Sequence, residues 1–298
     1  MFVNLPHDEN WPRLGSFFTD SRQADLTLLG VPAWRTSISP TGAYATPAAV
    51  RDALWRYSTY SIEHDLDLAG LRLADAGDVV DPDGEDGEAR VWDSVVSLGS
   101  EKGLLVPVGG DNSITFSVMR ALFGDDLPNA GLVTLDAHFD LRDGVSNGSP
   151  VRRLVEAGLP GRNIVQVGIS DFANSPQYAA RAREYGITVI TRDDVAREGI
   201  DVAMHRAFEV AGAGSAGIYV DLDVDVCDRS VVPACPAAVP GGLAARELRR
   251  AAYLAGANPQ VRAVDLAEID ASADAPDERT VRLAALLIAE AAAGLASR

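Results

Sequence analysis

The sequence predicts an α/β fold in which a mainly parallel sheet is covered by helices on both faces. Short β-branched or leucine-rich runs alternate with longer helical stretches along the whole chain, the pattern of βαβ units. Ala, Gly, Val and Leu dominate and aromatic residues make up only 6%, which suits helices packed on such a sheet. Strands are expected over residues 26–31, 104–108, 132–135, 164–169, 187–191, 217–222 and 263–267, with a short one near 71–74. Helices are expected over 47–57, 89–99, 115–122, 150–156, 176–185, 202–210, 244–254 and 278–296.

A chain of 298 residues, 47% of them hydrophobic, can bury one large core or two small ones. The polar Gly/Pro stretch over 81–88 reads as a surface loop rather than a linker. With no repeat of solenoid period, one domain over 1–298 is the expectation. The formal net charge is −17, which would repel nucleic acid and anionic membranes. Lys102 is the only lysine, a matter of composition rather than activity. Cys227 and Cys235 are too few for a disulfide framework. Residues 1–15 hold no apolar signal core, and no run approaches the ~18 apolar residues of a membrane span. A cytoplasmic protein is expected.

Chemistry concentrates at strand ends. The run Gly131-Leu132-Val133-Thr134-Leu135 leads into Asp136-Ala137-His138-Phe139-Asp140. Side chains two apart share a face of a strand, so Asp136, His138 and Asp140 can converge. A second acidic cluster, Asp221, Asp223 and Asp225, follows another apolar run. Carboxylates needing counter-charge, with one imidazole among them, suggest a divalent metal such as Mn²⁺. Either cluster alone could equally cap helices after βα loops; the two together favour the metal. Ligands of parallel sheets bind at the carboxyl ends of strands, where both clusters sit. A third strand runs into Gly109-Gly110-Asp111-Asn112-Ser113, where Asp111 or Ser113 could simply cap a helix.

Taken in order, 109–113, 136–140 and Asp-Val-Asp-Val-Cys-Asp at 223–228 resemble the signature motifs of the ureohydrolase superfamily. That family includes arginase, agmatinase, guanidino-acid hydrolases and formimidoylglutamase. Pro240-Gly241-Gly242-Leu243, Glu268-Ile269-Asp270, Thr280, the Gly30-Val31-Pro32 turn and the segment from Thr46-Pro47 to Arg51 extend the likeness. The resemblance implies a single three-layer α/β/α domain holding two Mn²⁺. Asp136 and Asp223 would bridge the ions, Asp140 and Asn112 would complete one site, and His138 and Asp225 the other. A metal-bridging hydroxide would attack an amidine or guanidine carbon, Asp140 would pass a proton to the leaving amine, and Glu268 would hold the cationic end of the substrate. Relatives of this kind are often trimers or hexamers.

Departures from the family pattern narrow the substrate. Asn112 stands where a metal-binding histidine is usual, and Asn147 replaces a second histidine. Asp221 takes the place of a small hydroxyl residue, either as an acceptor orienting a ligand or as a loop carboxylate, and Cys227 reads as a small buried hydrophobe. Phe139-Asp140-Leu141-Arg142 and Ser146-Asn147-Gly148-Ser149-Pro150 resemble the formimidoylglutamase side of the family. A substrate with two carboxylates asks for an arginine fork; Arg142 is the first choice, beside Arg35, Arg152 and Arg153. Arg142, Asn147, Ser149 and Glu268 are the expected substrate-binding residues. The best reading is hydrolysis of N-formimidoyl-L-glutamate to glutamate and formamide. The alternatives are an agmatinase or guanidino-acid hydrolase releasing urea, and a non-catalytic binding protein of this fold.

Overall fold

A computed structural model describes residues 8–21, 23–99 and 103–298. Met1–His7 and Lys102, and the sequence expectations resting on them, lie outside the described residues. In chain order the strands are β1 (Phe18–Thr19), β2 (Leu26–Val31), β3 (Tyr60–Ser61), β4 (Leu66–Asp67), β5 (Leu73–Asp78), β6 (Leu104–Gly109), β7 (Ala130–Leu135), β8 (Ile164–Ile169), β9 (Thr188–Thr191), β10 (Gly217–Asp223) and β11 (Val261–Ala267). The helices are α1 (Thr46–Leu54), α2 (Gly84–Ser97), α3 (Ile114–Phe123), α4 (Pro150–Glu156), α5 (Pro176–Tyr185), α6 (Arg192–Glu198), α7 (Ile200–Ala211), α8 (Ala245–Ala257) and α9 (Arg279–Ala296).

Nine strands form one all-parallel sheet in the order β1-β5-β2-β6-β11-β10-β7-β8-β9. Outside that sheet β3 and β4 pair antiparallel in a separate hairpin. The central strands β6, β7 and β10 are buried at every residue, because helices cover both faces and leave no side for polar alternation. Alternate residues feed two cores. Leu26 and Leu28 point to the side of α1, α6, α7, α8 and α9, while Leu29 and Val31 join Val91, Ile114, Val151 and Ala182 from α2, α3, α4 and α5. Among the described residues no helix is long and apolar enough to cross a membrane.

The expected strands are all present, with ends shifted by a few residues; β5 begins later than expected and runs on to Asp78. The two-residue strands β1, β3 and β4 were not expected, and two helices differ from expectation. Residues 84–88 are not loop but the first turns of α2, where Glu85 and Asp86 complement the positive end of the helix dipole. The helix α6 was not expected, although Thr191 and Asp194 form a reciprocal capping box at its start. Val195 is its one buried residue, so the segment carries no hydrophobic period.

Helices α8 and α9 pack backbone to backbone through glycine. A Cβ on Gly256 would lie 2.1 Å from the Ala291 carbonyl oxygen, an approach no larger residue permits. Gly256→Ala is therefore expected to destabilise the protein by about 2 kcal/mol in urea unfolding, the usual cost of overpacking. Its metal stoichiometry should stay unchanged, since the contact lies far from the strand ends described next.

Candidate metal centre and substrate cavity

Four adjacent strands, β6, β11, β10 and β7, deliver their carboxyl ends to one place. Asp136 directly follows β7, Asp223 ends β10, and Asp225 lies in the single 3₁₀ turn Val224–Val226. That turn forms because the Asp223 carboxylate accepts from the Asp225 N–H at 2.8 Å. The Ala137 N–H donates to Asp225 Oδ1 at 2.9 Å, and the His138 N–H donates to Asp136 Oδ1 at 2.6 Å. The imidazole of His138 then lies 2.7 Å from Asp225 Oδ2 and 3.5 Å from Asp136 Oδ1. Ligand atoms of Asp136, His138 and Asp225 fall within 4.8 Å of one another.

On the other side stand Asn112, Asp140, Asn147 and Glu268. Asn112 Nδ2 donates to Asp140 Oδ2 at 2.7 Å, and its backbone N–H donates to Glu268 Oε1 at 2.8 Å. Asn147 Nδ2 donates to the same Glu268 oxygen at 2.7 Å, while Asn147 Oδ1 accepts from the Ile38 N–H. Asp140 and Glu268 both hold left-handed backbone, with φ of 52° and 61°. Such geometry costs on the order of 1 kcal/mol and is retained where surrounding structure fixes it. His138, Asp140, Arg142, Asn147, Asp223 and Glu268 line a cavity of about 340 Å³.

Charge is unbalanced here. Burial, then the neighbouring carboxylates, pushes Asp136 and Asp223 well above the usual carboxylate range. Asp140 is raised to about 7, mainly by burial, and Glu268 to about 8 by burial and then Asp111. Burial alone would lower His138, but the charge of Asp225 and bonds to Asp136 and Asp225 outweigh it and lift the ring to about 12. Asp225 alone falls below its usual range: burial raises it, and the charge and bond of His138 overcome that. Asp136 Oδ2 is buried with no hydrogen-bond partner. Oxygen-rich donors, one imidazole and an orphan carboxylate oxygen together fit a divalent cation such as Mn²⁺.

Not every expected residue reaches the cavity. Ser149 is fully buried and its hydroxyl is spent on Ser146, donating to the carbonyl and accepting from the N–H; it shapes the 146–149 turn instead of lining the cavity. Arg35 pairs with Asp81, and Arg153 pairs with Glu88 over the ring of Phe116. Arg152 is anchored to Glu156 and to the Arg142 carbonyl. Arg142 is the arginine that lines the cavity. Asp221 is no loop carboxylate: it sits inside β10, fully buried and in register with Asp265 of β11. Asp111 does not cap α3; it is buried and accepts from Ser37 and Ser113, tying the 33–44 loop to the site. Asn174 was missed, and it clasps the 137–139 backbone by accepting from the Phe139 N–H and donating to the Ala137 carbonyl. Asp265 was missed too, although a carboxylate inside an apolar strand was a visible signal.

Buried acids and an imidazole gathered without counter-charge at the carboxyl edge of a parallel sheet define a metal-dependent α/β hydrolase. Residues 24–294 match the family model described as the arginase family, and the chain belongs to that family. It is 36% identical to a formimidoylglutamase from Halalkalibacterium halodurans, over 96% of this chain and 93% of the relative. The crystal structure of formimidoylglutamase from Bacillus subtilis superposes with a TM-score of 0.91 at 29% identity, over 98% of this chain and 95% of that one. Trypanosoma cruzi formiminoglutamase, solved with two Mn²⁺, superposes with a TM-score of 0.88 at 27% identity, over 97% of this chain and 99% of that one. The chain is thus a ureohydrolase-family hydrolase of linear amidines.

A carboxyl raised by folding binds its proton more tightly in the native state, so the stability it lends at low pH is lost as pH rises through the native value. With Asp140 near 7 and Glu268 near 8, the metal-free protein should lose stability between about pH 4 and 8, read as urea midpoints. Mn²⁺ should restore it at the upper end. Asp223→Asn should raise metal-free stability at pH 8 by about 1 kcal/mol and abolish the gain from Mn²⁺.

Proposed function

We propose that this chain is a Mn²⁺-dependent formimidoylglutamase, hydrolysing N-formimidoyl-L-glutamate to glutamate and formamide. The observation carrying this reading is Arg142. It is exposed to the cavity, and its guanidinium has no ion-pair partner among the described residues. A Cβ on Gly148 would come within 2.7 Å of Arg142 Cδ, so only glycine lets the arginine stem lie across the 146–149 turn. An unpaired guanidinium facing a polar cavity fits a substrate carboxylate bidentately. Agmatine, which has none, gives it nothing to bind.

At the other end of the cavity, Glu268 is held by Asn112 and Asn147 through one oxygen, leaving the second for the substrate. Its carboxyl is raised to about 8 in the absence of a cation, and an amidinium would supply the missing charge. Asp136, His138, Asp140, Asp223 and Asp225, with the Asn112 amide, would hold two Mn²⁺. Bound there, the ions would lower the pKa of a coordinated water and so supply a nucleophile near neutral pH. Asp140 would accept the proton that water gives up as its oxygen bonds to the amidine carbon, and would deliver it to the glutamate nitrogen as the C–N bond breaks. The similarity to formimidoylglutamases supports this substrate over guanidino compounds.

The test is turnover of N-formimidoyl-L-glutamate, agmatine, 4-guanidinobutyrate and arginine by Mn²⁺-loaded protein. Formamide from the first is the expected product; urea from a guanidino compound would overturn the substrate assignment and keep the chemistry. Arg142→Ala should raise KM roughly 10- to 100-fold with kcat little changed, the signature of a lost charge-assisted contact common to ground and transition states.

A further inference from the structure

Hydrogen bonding around Asn112 does not close as drawn. Asn112 Oδ1 lies 2.9 Å from Thr115 Oγ1, and the same Thr115 oxygen lies 2.9 Å from Asp265 Oδ2. Asp265 Oδ2 already accepts from the Tyr219 hydroxyl at 2.7 Å. Thr115, Tyr219 and Asp265 are fully buried. A threonine hydroxyl has one proton, and here two acceptors claim it.

Turning the Asn112 amide by half a turn exchanges its O and N with every heavy atom in place. Nδ2 then donates to Thr115, Thr115 donates to Asp265, and each donor meets one acceptor. The turn also brings the amide oxygen to the position 2.7 Å from Asp140 Oδ2. Two oxygens at that distance repel unless a proton on Asp140 or a cation joins them. The two orientations therefore compete: N–H toward Asp140 suits an empty centre, and oxygen toward Asp140 suits both the Thr115 chain and a bound cation. An amide N–H offers no lone pair to a metal.

We propose that Thr115, fixed by Asp265 and Tyr219, is a positioning residue that holds the Asn112 amide with its oxygen toward the cation site shared with Asp140. This also gives a role to Asp265, a buried carboxylate that substrate contacts and the other ligands leave unused. The inference rests on the two-cation reading of the site.

Mn²⁺ titration of metal-free full-length protein, followed by calorimetry and by the EPR signal of the coupled ion pair, tests it. Wild type should bind two Mn²⁺ per chain. Thr115→Val should weaken the second ion about 10- to 100-fold, as loss of a ligand's outer partner does, and leave the first unchanged. Thr115→Ser should keep wild-type affinity. In an Asn112→Asp background either carboxylate oxygen can face the ion, so adding Thr115→Val should cost less than about threefold. If Thr115→Val fails to fold, Asp265→Asn carries the same expectation of a weaker second ion. Unchanged second-ion affinity in a folded Thr115→Val or Asp265→Asn protein overturns the proposal, as does an equal loss in the Asn112→Asp background. Wild type binding a single Mn²⁺ would instead overturn the two-cation reading itself, without reference to any variant.

Discussion

Repulsion among buried carboxylates at the carboxyl edge of the sheet governs the rest of this molecule. Asp136, Asp140, Asp223, Asp225 and Glu268 are each at most 8% exposed. Two unit charges 4 Å apart at an effective dielectric near 20 repel by about 4 kcal/mol, so the group is tolerable only with protons or cations among its members. The protein holds it in place with strand pairing on either side, a 3₁₀ turn capped by Asp223 and left-handed backbone at Asp140 and Glu268. The scaffold is stiff because the site would otherwise push itself apart.

The neutral groups around the cluster follow from the same constraint. Asn112 and Asn147 supply N–H donors to Glu268 and Asp140 without adding charge. Asn147 also accepts from the backbone of Ile38, and Asp111 accepts from Ser37, so the loop over the cavity is fastened directly to the groups beneath it. Arg142 lines the same cavity, and its charge favours the ionised form of Asp140.

Much of this was legible in the sequence. Apolar runs bounded by helical stretches located β2 and β8 to the residue, because strands buried on both faces carry an unbroken signal. The acidic triplets marked the carboxyl edge of β7 and β10, but Asp136, His138 and Asp140 lie past the end of β7 and Asp225 in a 3₁₀ turn, so loop geometry rather than strand alternation brings them together. Less legible was whatever depended on long-range contact. Ser149 looked like a substrate residue and is a turn residue; Asn174 reaches the site from a separate loop that carries no local signature. Asp265 showed as a charge inside a strand, but its partners Thr115 and Tyr219 come from α3 and β10. Helix α6 was hidden because only Val195 of it is buried, and α2 began early, since a polar first turn reads as loop.

The most direct test of this account is anomalous diffraction at the manganese edge from crystals grown with Mn²⁺. Two peaks are predicted, both flanked by Asp136 and Asp223, one next to His138 and Asp225 and the other next to Asp140 and Asn112. A single peak, or none within ligand distance of Asp136, would contradict the claim that this carboxylate cluster exists to hold a pair of cations.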